Sequence, residues 1–329
     1  MTRSIHVVAI GGGGGASQVL RAAQSFASRL TAVIAVTDTG RSTGLARAIG
    51  GIPAPGDLRA TIANFATDPL IARLLQHRFS GAGVPQLEGM AFGNLLIAAL
   101  AEVQGGFGAA VRTAAELAGC AAEVLPVSDA NTDICAELEG GALVRGEVHV
   151  RGLGKPPIRR LFLREAAPAN PAALEAIRRA DLVVLGPGSL FTSILADLLF
   201  DGMAEALRAA RGQVVFVCNT TTQPGQTDGY ATADHVRRVA EALGPGALDA
   251  ALINQGTVDA QRQARLAADG LLVLAPSAAE LAAIAALDVR PVVRDFGEPS
   301  GVQRVLWNKQ DTLRHDTAAL DAALRELIA

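Results

Sequence analysis

Five consecutive glycines, residues 11–15, follow the short apolar run HVVAI and precede the helix-like stretch ASQVLRAAQSFASRL. Glycine lets a backbone approach a phosphate closely, and a helix starting there offers unpaired N–H groups and partial positive charge. Together with the next alanine the run satisfies G-x-G-x-x-A, so Gly11, Gly12, Gly13, Gly14, Gly15, Ala16 and Ser17 are candidate ligand-binding residues. The bland alternative is a tight strand-to-helix turn that binds nothing, although five glycines carry an entropic cost such a turn does not require.

Other polar groups follow apolar runs in the same way. The second run ends in Asp38, followed by Thr39, Arg41 and Ser42. An acidic residue there suits ribose hydroxyls, although its distance from Gly11 exceeds the usual spacing of about 20. Asp38 and Asp57 also form a candidate divalent-cation pair, since two carboxylates can hold Mg²⁺ beside substrate phosphates; otherwise they cap turns. Pro53 and Pro55 bar a helix before Asp57, which makes it a candidate N-cap. Asn94 falls in the first turn of an apolar helix. A second Gly-rich turn supplies Gly186, Pro187, Gly188, Ser189, Thr192 and Ser193. Asn219, Thr222, Gln223, Asp228, Tyr230 and Asp234 crowd hydrogen-bonding capacity after another apolar run, where recognition of a sugar or base is favoured over a plain connection. Arg314 is placed either on an exposed turn or back at a ligand.

These groups need a scaffold that brings strand ends together. Half of the 329 residues are hydrophobic but only 4% are aromatic, which suits helices packed on a parallel sheet. Apolar runs repeatedly give way to small or polar turns and then to helical periodicity, the rhythm of βα units. The expected fold is α/β and Rossmann-like: a mostly parallel sheet with helices on both faces. Alternation around Gly140 and Gly141 predicts a small β-hairpin excursion, at about residues 123–163 of a single domain spanning residues 1–329.

A net charge of −3 without a dense basic stripe argues against nucleic acid as a partner. Cys120, Cys135 and Cys218 lack both an even count and a CxxC spacing, so neither a disulfide framework nor a zinc site is expected. No apolar stretch of about 18 residues predicts membrane insertion, and the short apolar run before the glycines is too brief for a signal-peptide core. A cytoplasmic protein is expected. The Ala- and Leu-rich C-terminal helix suggests a homodimer. No Ser-His-Asp order, HExxH or GxxxxGK[ST] occurs, so hydrolase, zincin and Walker-type readings lack their parts.

Taken in order, AIGGGGGASQVLR, VTDTGRSTG, IPAPGDLR, FGNLLIAAL, GPGSLFTSIL, CNTTTQPGQTDGYATADHV and RHDT resemble the YvcK-like, or gluconeogenesis-factor, family, a relative of 2-phospho-L-lactate transferase. The resemblance implies binding of UDP-N-acetylglucosamine by a regulator of bacterial carbon metabolism, cell shape and envelope synthesis, with no cofactor required. The transferase relatives imply instead Mg²⁺ and a nucleotide-activated phospholactate of the coenzyme F420 type. In the transferases, paired aspartates support the metal; here the pair reads Asp38 and Thr39, which removes charge needed to offset dehydration of the cation. The reading that follows is a nucleotide-sugar sensor without a catalytic set. The rivals are an Mg²⁺-dependent transferase and, on the first glycine run alone, an NAD(P)-dependent oxidoreductase.

Overall fold

The computed structural model describes residues 4–81, 83–256, 258–298 and 313–328. Seven strands, β1 (His6–Gly11), β2 (Arg29–Ile34), β3 (Glu123–Pro126), β7 (Leu182–Leu185), β8 (Gln213–Val217), β9 (Ala250–Asn254) and β10 (Arg290–Arg294), form one sheet in the order β10-β9-β8-β7-β1-β2-β3. All six pairings are parallel. A separate antiparallel sheet, ordered β5-β4-β6, is made by β4 (Ile134–Leu138), β5 (Leu143–Arg145) and β6 (Ile158–Leu163).

The chain leaves β1 toward β2 and β3, then returns to β1's other side and proceeds outward through β10. Parallel crossovers are right-handed, so the two directions of travel put helices on opposite faces of the sheet. The strands that result are buried on both sides, which is why β1 and β7 read as unbroken apolar runs with Val7 to Ile10 and Leu182 to Leu185 sealed from solvent. The excursion is shorter than expected: Glu123–Pro126 is the edge strand of the main sheet, and the small sheet begins at Ile134. Its hairpin does turn at Gly140 and Gly141, both at positive φ.

On the first half of the chain lie α1 (Gly13–Ala23), α2 (Arg41–Gly50), α3 (Gly56–Phe65), α4 (Pro69–Gln76), α5 (Phe92–Gln104) and α6 (Phe107–Leu117), with the single turn α7 (Glu147–Val150) following the hairpin. The second half carries α8 (Pro171–Arg179), a π-helical turn (Leu190–Ile194) running into α9 (Leu195–Asp197), then α10 (Met203–Arg208), α11 (Thr232–Leu243), α12 (Ala260–Ala268), α13 (Ala278–Ala285) and α14 (Thr317–Ile328). Three glycines open α1, a poor start by intrinsic propensity. Its stability comes instead from the stripe Ala16, Val19, Leu20 and Ala23, buried at i, i+3, i+4, i+7 spacing against the sheet.

The C-terminal helix covers its apolar side within the chain. Leu320, Ala323, Leu324 and Leu327 are buried, α14 packs on α1, and Arg325 lies over the ring of Phe26. The helix therefore leaves no apolar stripe from which to argue a dimer. Among the described residues no helix is long and apolar enough to cross a membrane.

Candidate functional site

The strand order reverses between β1 and β7, and ligands of open α/β sheets bind in the crevice at such a point. Both Gly-rich turns lie there. The first is less a loop than a helix start, because Gly13, Gly14 and Gly15 already belong to α1, with Gly12 as N-cap and no side chain capping it. Its first N–H groups have no acceptor within the helix, and that of Gly13 is taken up by the Asp57 carboxylate.

Each glycine can be assigned a reason. Gly11 has φ +142 and Gly186 φ +77, conformations that L side chains rarely adopt. A Cβ on Gly13 would stand 2.5 Å from the Asp57 carbonyl oxygen, and one on Gly15 would overlap the Pro187 carbonyl oxygen. Those two glycines let α1 meet α3 and the turn at residues 186–188. Gly14 differs: it is exposed and has nothing within 4 Å of an added Cβ. Backbone conformation and close packing account for the run except at Gly14.

Asp57 is not the N-cap of its helix. Helix α3 begins one residue earlier, with Pro55 at the cap, and the Asp57 carboxylate reaches across to accept the N–H of Gly13. Its Oδ2 and the Ser193 Oγ would each lie 3.0 Å from a Cβ on Gly12, so both flank the same glycine. Surrounding protein pushes the Asp57 carboxyl above the usual range, while the Gly13 N–H acts in the opposite direction.

Asp38 accepts the N–H of Gly40 at 2.7 Å and is hydrogen-bonded to Glu147, the first residue of α7. Burial, then the Glu147 charge, raises its carboxyl to about 7. Glu147 is a residue that local sequence reasoning passed over; its only signal is a position directly after Gly146, which takes φ +82. It supplies a second carboxylate beside Asp38 where Thr39 does not. Thr39 itself faces Gly146, its Oγ1 being 3.6 Å from a Cβ built there.

Ser189 caps the π-helical turn, accepting Thr192 N–H at 3.3 Å, and donates to Gln226 Oε1 at 2.8 Å. Gln223 Oε1 accepts the N–H of Leu190, and Asn219 donates to Gly188 O at 2.7 Å. These bonds lace the loop after β8 to the second glycine turn and leave Asn219 Oδ1 buried without a partner.

Other candidates serve the scaffold. Asn94 is fully buried between Arg59 and Ser42, and Ser17 accepts Asn64. The Thr222 hydroxyl oxygen accepts Leu272 N–H, Asp228 takes Gly225 N–H, and Asp234 takes the N–H of Ala231 ahead of α11. Tyr230 packs edge-on against Phe191 and His235, with its hydroxyl accepting from Arg238. Arg314 is exposed, whereas the neighbouring His315 is buried against Cys218 O. Arg41 opens α2, and its side chain lies outside the described residues.

One more acid went unnoticed in the sequence. Asp197 in α9 is fully buried, both carboxyl oxygens lack a hydrogen-bond partner, and burial, then the Asp57 charge, pushes its carboxyl well above the ordinary range.

Comparison with known proteins matches residues 7–296 to the family described as 2-phospho-L-lactate transferase CofD. The chain belongs to the CofD family. Within it, this member is similar to proteins named gluconeogenesis factor. The one from Halalkalibacterium halodurans is 38% identical over 76% of this chain and 77% of its own. The one from Bacillus subtilis is 33% identical over 100% of this chain and 99% of its own. A crystal structure of a UPF0052 family member from Bacillus halodurans superposes with TM-score 0.89 at 32% identity, covering 99% of this chain and 100% of that one. These similarities place this family member on the YvcK-like side.

Proposed function

We propose that the chain is a nucleotide-sugar-binding regulator of the UDP-N-acetylglucosamine type, acting in bacterial carbon metabolism, cell shape and envelope synthesis without catalysis of its own. The observation that carries this reading is the meeting of two glycine turns at the strand-order reversal, with the start of α1, held by a side chain only through the Asp57 bond to Gly13, between them. A diphosphate suits that start, since its charge complements the free N–H groups. Asp38 and Glu147 suit the hydroxyls of a ribose or sugar, and the loop after β8 suits base or sugar recognition. Self-association as a homodimer belongs to the same proposal and rests on exposed Leu45, Ile49, Leu70 and Leu74 of α2 and α4.

Calorimetry with UDP-N-acetylglucosamine in metal-free buffer is expected to show micromolar binding. Asp38→Ala is expected to weaken it about tenfold, the loss of charge-assisted bonds to hydroxyls. Absence of heat with every UDP-sugar tried would overturn the reading.

A second reading has one specific observation in its favour: burial first, and then the Glu147 charge, raises the proton affinity of both Asp38 and Asp57, as happens to carboxylates short of positive charge. Mg²⁺ matches such hard oxygen donors. Among the described residues no group of three or more His, Cys, Asp or Glu side chains is arranged to hold a metal unaided. Asp38 and Asp57 would therefore hold the ion jointly with substrate phosphate, and the ion would supply charge stabilisation to a transferred diester. The discriminating assay is Mg²⁺-dependent product formation from a nucleotide-activated hydroxy acid and a deazaflavin acceptor, with Asp57→Asn as the control.

A further inference from the structure

Arg47 is a buried arginine of α2, only 9% exposed, whose guanidinium is shared among partners from two separate parts of the fold. Nη1 donates to the Asp38 carbonyl at 3.2 Å. Nη2 donates to Asn131 Oδ1 at 2.7 Å, to the Thr132 carbonyl at 3.0 Å and to Asp133 Oδ1 at 2.9 Å, and Nε also donates to Asn131 Oδ1 at 3.2 Å. The first partner is the loop after β2; the others lead into the small antiparallel sheet.

Asp133 passes the connection on. Its second oxygen accepts Arg145 Nε at 3.0 Å and Nη2 at 2.9 Å, a two-pronged pairing with fixed geometry. Arg145 ends β5, Gly146 turns the chain, and Glu147 meets the Asp38 carboxyl. The path closes on itself: Asp38 carbonyl, Arg47, Asp133, Arg145, Glu147, Asp38 carboxyl. Arg151 steadies the last member by pairing with Glu147 Oε1 at 2.9 Å. Two carboxyl groups from separate parts of the fold, the loop after β2 and α7, meet inside this ring of bonds, which constrains where each stands.

We infer that Arg47 and Asp133 are positioning residues that fix how the Asp38 and Glu147 carboxylates meet, and thereby set the affinity for hydroxyl groups of a bound sugar. The inference rests on the reading in which Asp38 takes those hydroxyls. Neither Arg47 nor Asp133 is placed against the ligand; both act through Asp38 and Glu147. The small sheet thus contributes one wall of the site, and the α2 arginine sets where that wall stands.

The test compares Arg47→Lys and Asp133→Asn with Glu137→Gln. The control breaks pairs to Arg159 and Arg160 in the same small sheet and leaves the ring intact. Two quantities are measured: affinity for UDP-N-acetylglucosamine, and amide hydrogen exchange of the ligand-free protein at residues 38–40 and 146–150. Both ring variants are expected to weaken binding about tenfold and to speed exchange in both segments, with the control changing neither. Their double variant is expected to be no worse than the poorer single one, as residues of one network are not additive. Unchanged exchange in the ring variants, unchanged affinity despite faster exchange, or equal effects from the control would overturn the inference. Should the parent protein bind no UDP-sugar, the nucleotide-sugar reading fails by itself, and the exchange data still decide whether the ring holds the two carboxylates together.

Discussion

Gly15→Ala is expected to destabilise the protein by about 3 kcal/mol and to abolish nucleotide-sugar binding. The added methyl group would overlap the Pro187 carbonyl oxygen, a backbone atom that cannot swing aside as a side chain would. Overpacking typically costs about 1–3 kcal/mol, and a clash with backbone belongs at the upper end. Relief requires α1 to move away from residues 186–188, which separates the two halves of the proposed phosphate cradle. Gly14→Ala, one position away, provides the contrast. It meets nothing within 4 Å and replaces glycine inside a helix, so a gain of about 0.5–1 kcal/mol is expected. Denaturant titration of both variants with calorimetry of the ligand decides the matter. Equal stability of the two would show that contact with Pro187 does not govern the turn.

Asp197→Asn is expected to stabilise the protein at neutral pH while leaving it almost unchanged in acid. Raised protonation of a buried carboxyl means that the folded state holds a proton the unfolded chain releases near the ordinary value of about 3.9. The stability linked to that proton is full below about pH 3.9 and falls as pH climbs toward the folded-state value, by up to about 1.4 kcal/mol per pH unit. The amide variant stays neutral throughout and has no such slope. Asp38 and Asp57 also favour the protonated form in the folded state, so their contributions share the sign and cancel when the variant is subtracted from the parent. The gap between the unfolding free energies of the two proteins should be wider at pH 8 than at pH 5, growing by up to about 1.4 kcal/mol for each pH unit below the folded-state value. A constant difference would show that Asp197 is ionised in the fold.

What could be read along the chain was whatever depends on neighbours in sequence. Unbroken β-branched runs marked β1 and β7 because both faces of those strands are covered, and glycine after each marked the turns. Asp38 stood out because it closes the second apolar run, and Asp57 because Pro53 and Pro55 mark the turn before it. The helix start at Gly13 and the failure of Asp57 to cap its own helix were less visible, since both arise from the packing of α1 on α3. Glu147, Arg47, Asp133 and Asp197 were silent for a related reason. An acid or arginine on a short helix looks like solvated surface until the fold shows what faces it. The polar residues after β8 carry a second use: Asp228 and Asp234 accept N–H groups of the loop's own backbone and Thr222 that of Leu272, a use that composition cannot separate from ligand recognition.

The central strand β1 joins partners of very different origin. Its bond to β2 closes a short stretch of chain, His6 standing opposite Arg29, whereas the His6 N–H to Asp181 bond beside β7 spans 175 positions. Closing the longer loop has the greater entropic cost, and contacts of that kind form late in folding. The seam between residues 11–15 and 186–188 is therefore where the chain closes one of its long loops. The nucleotide of the proposed function, laid across it, would act as a reversible cross-link, opposing the separation of the halves in the way a covalent bridge between distant positions does.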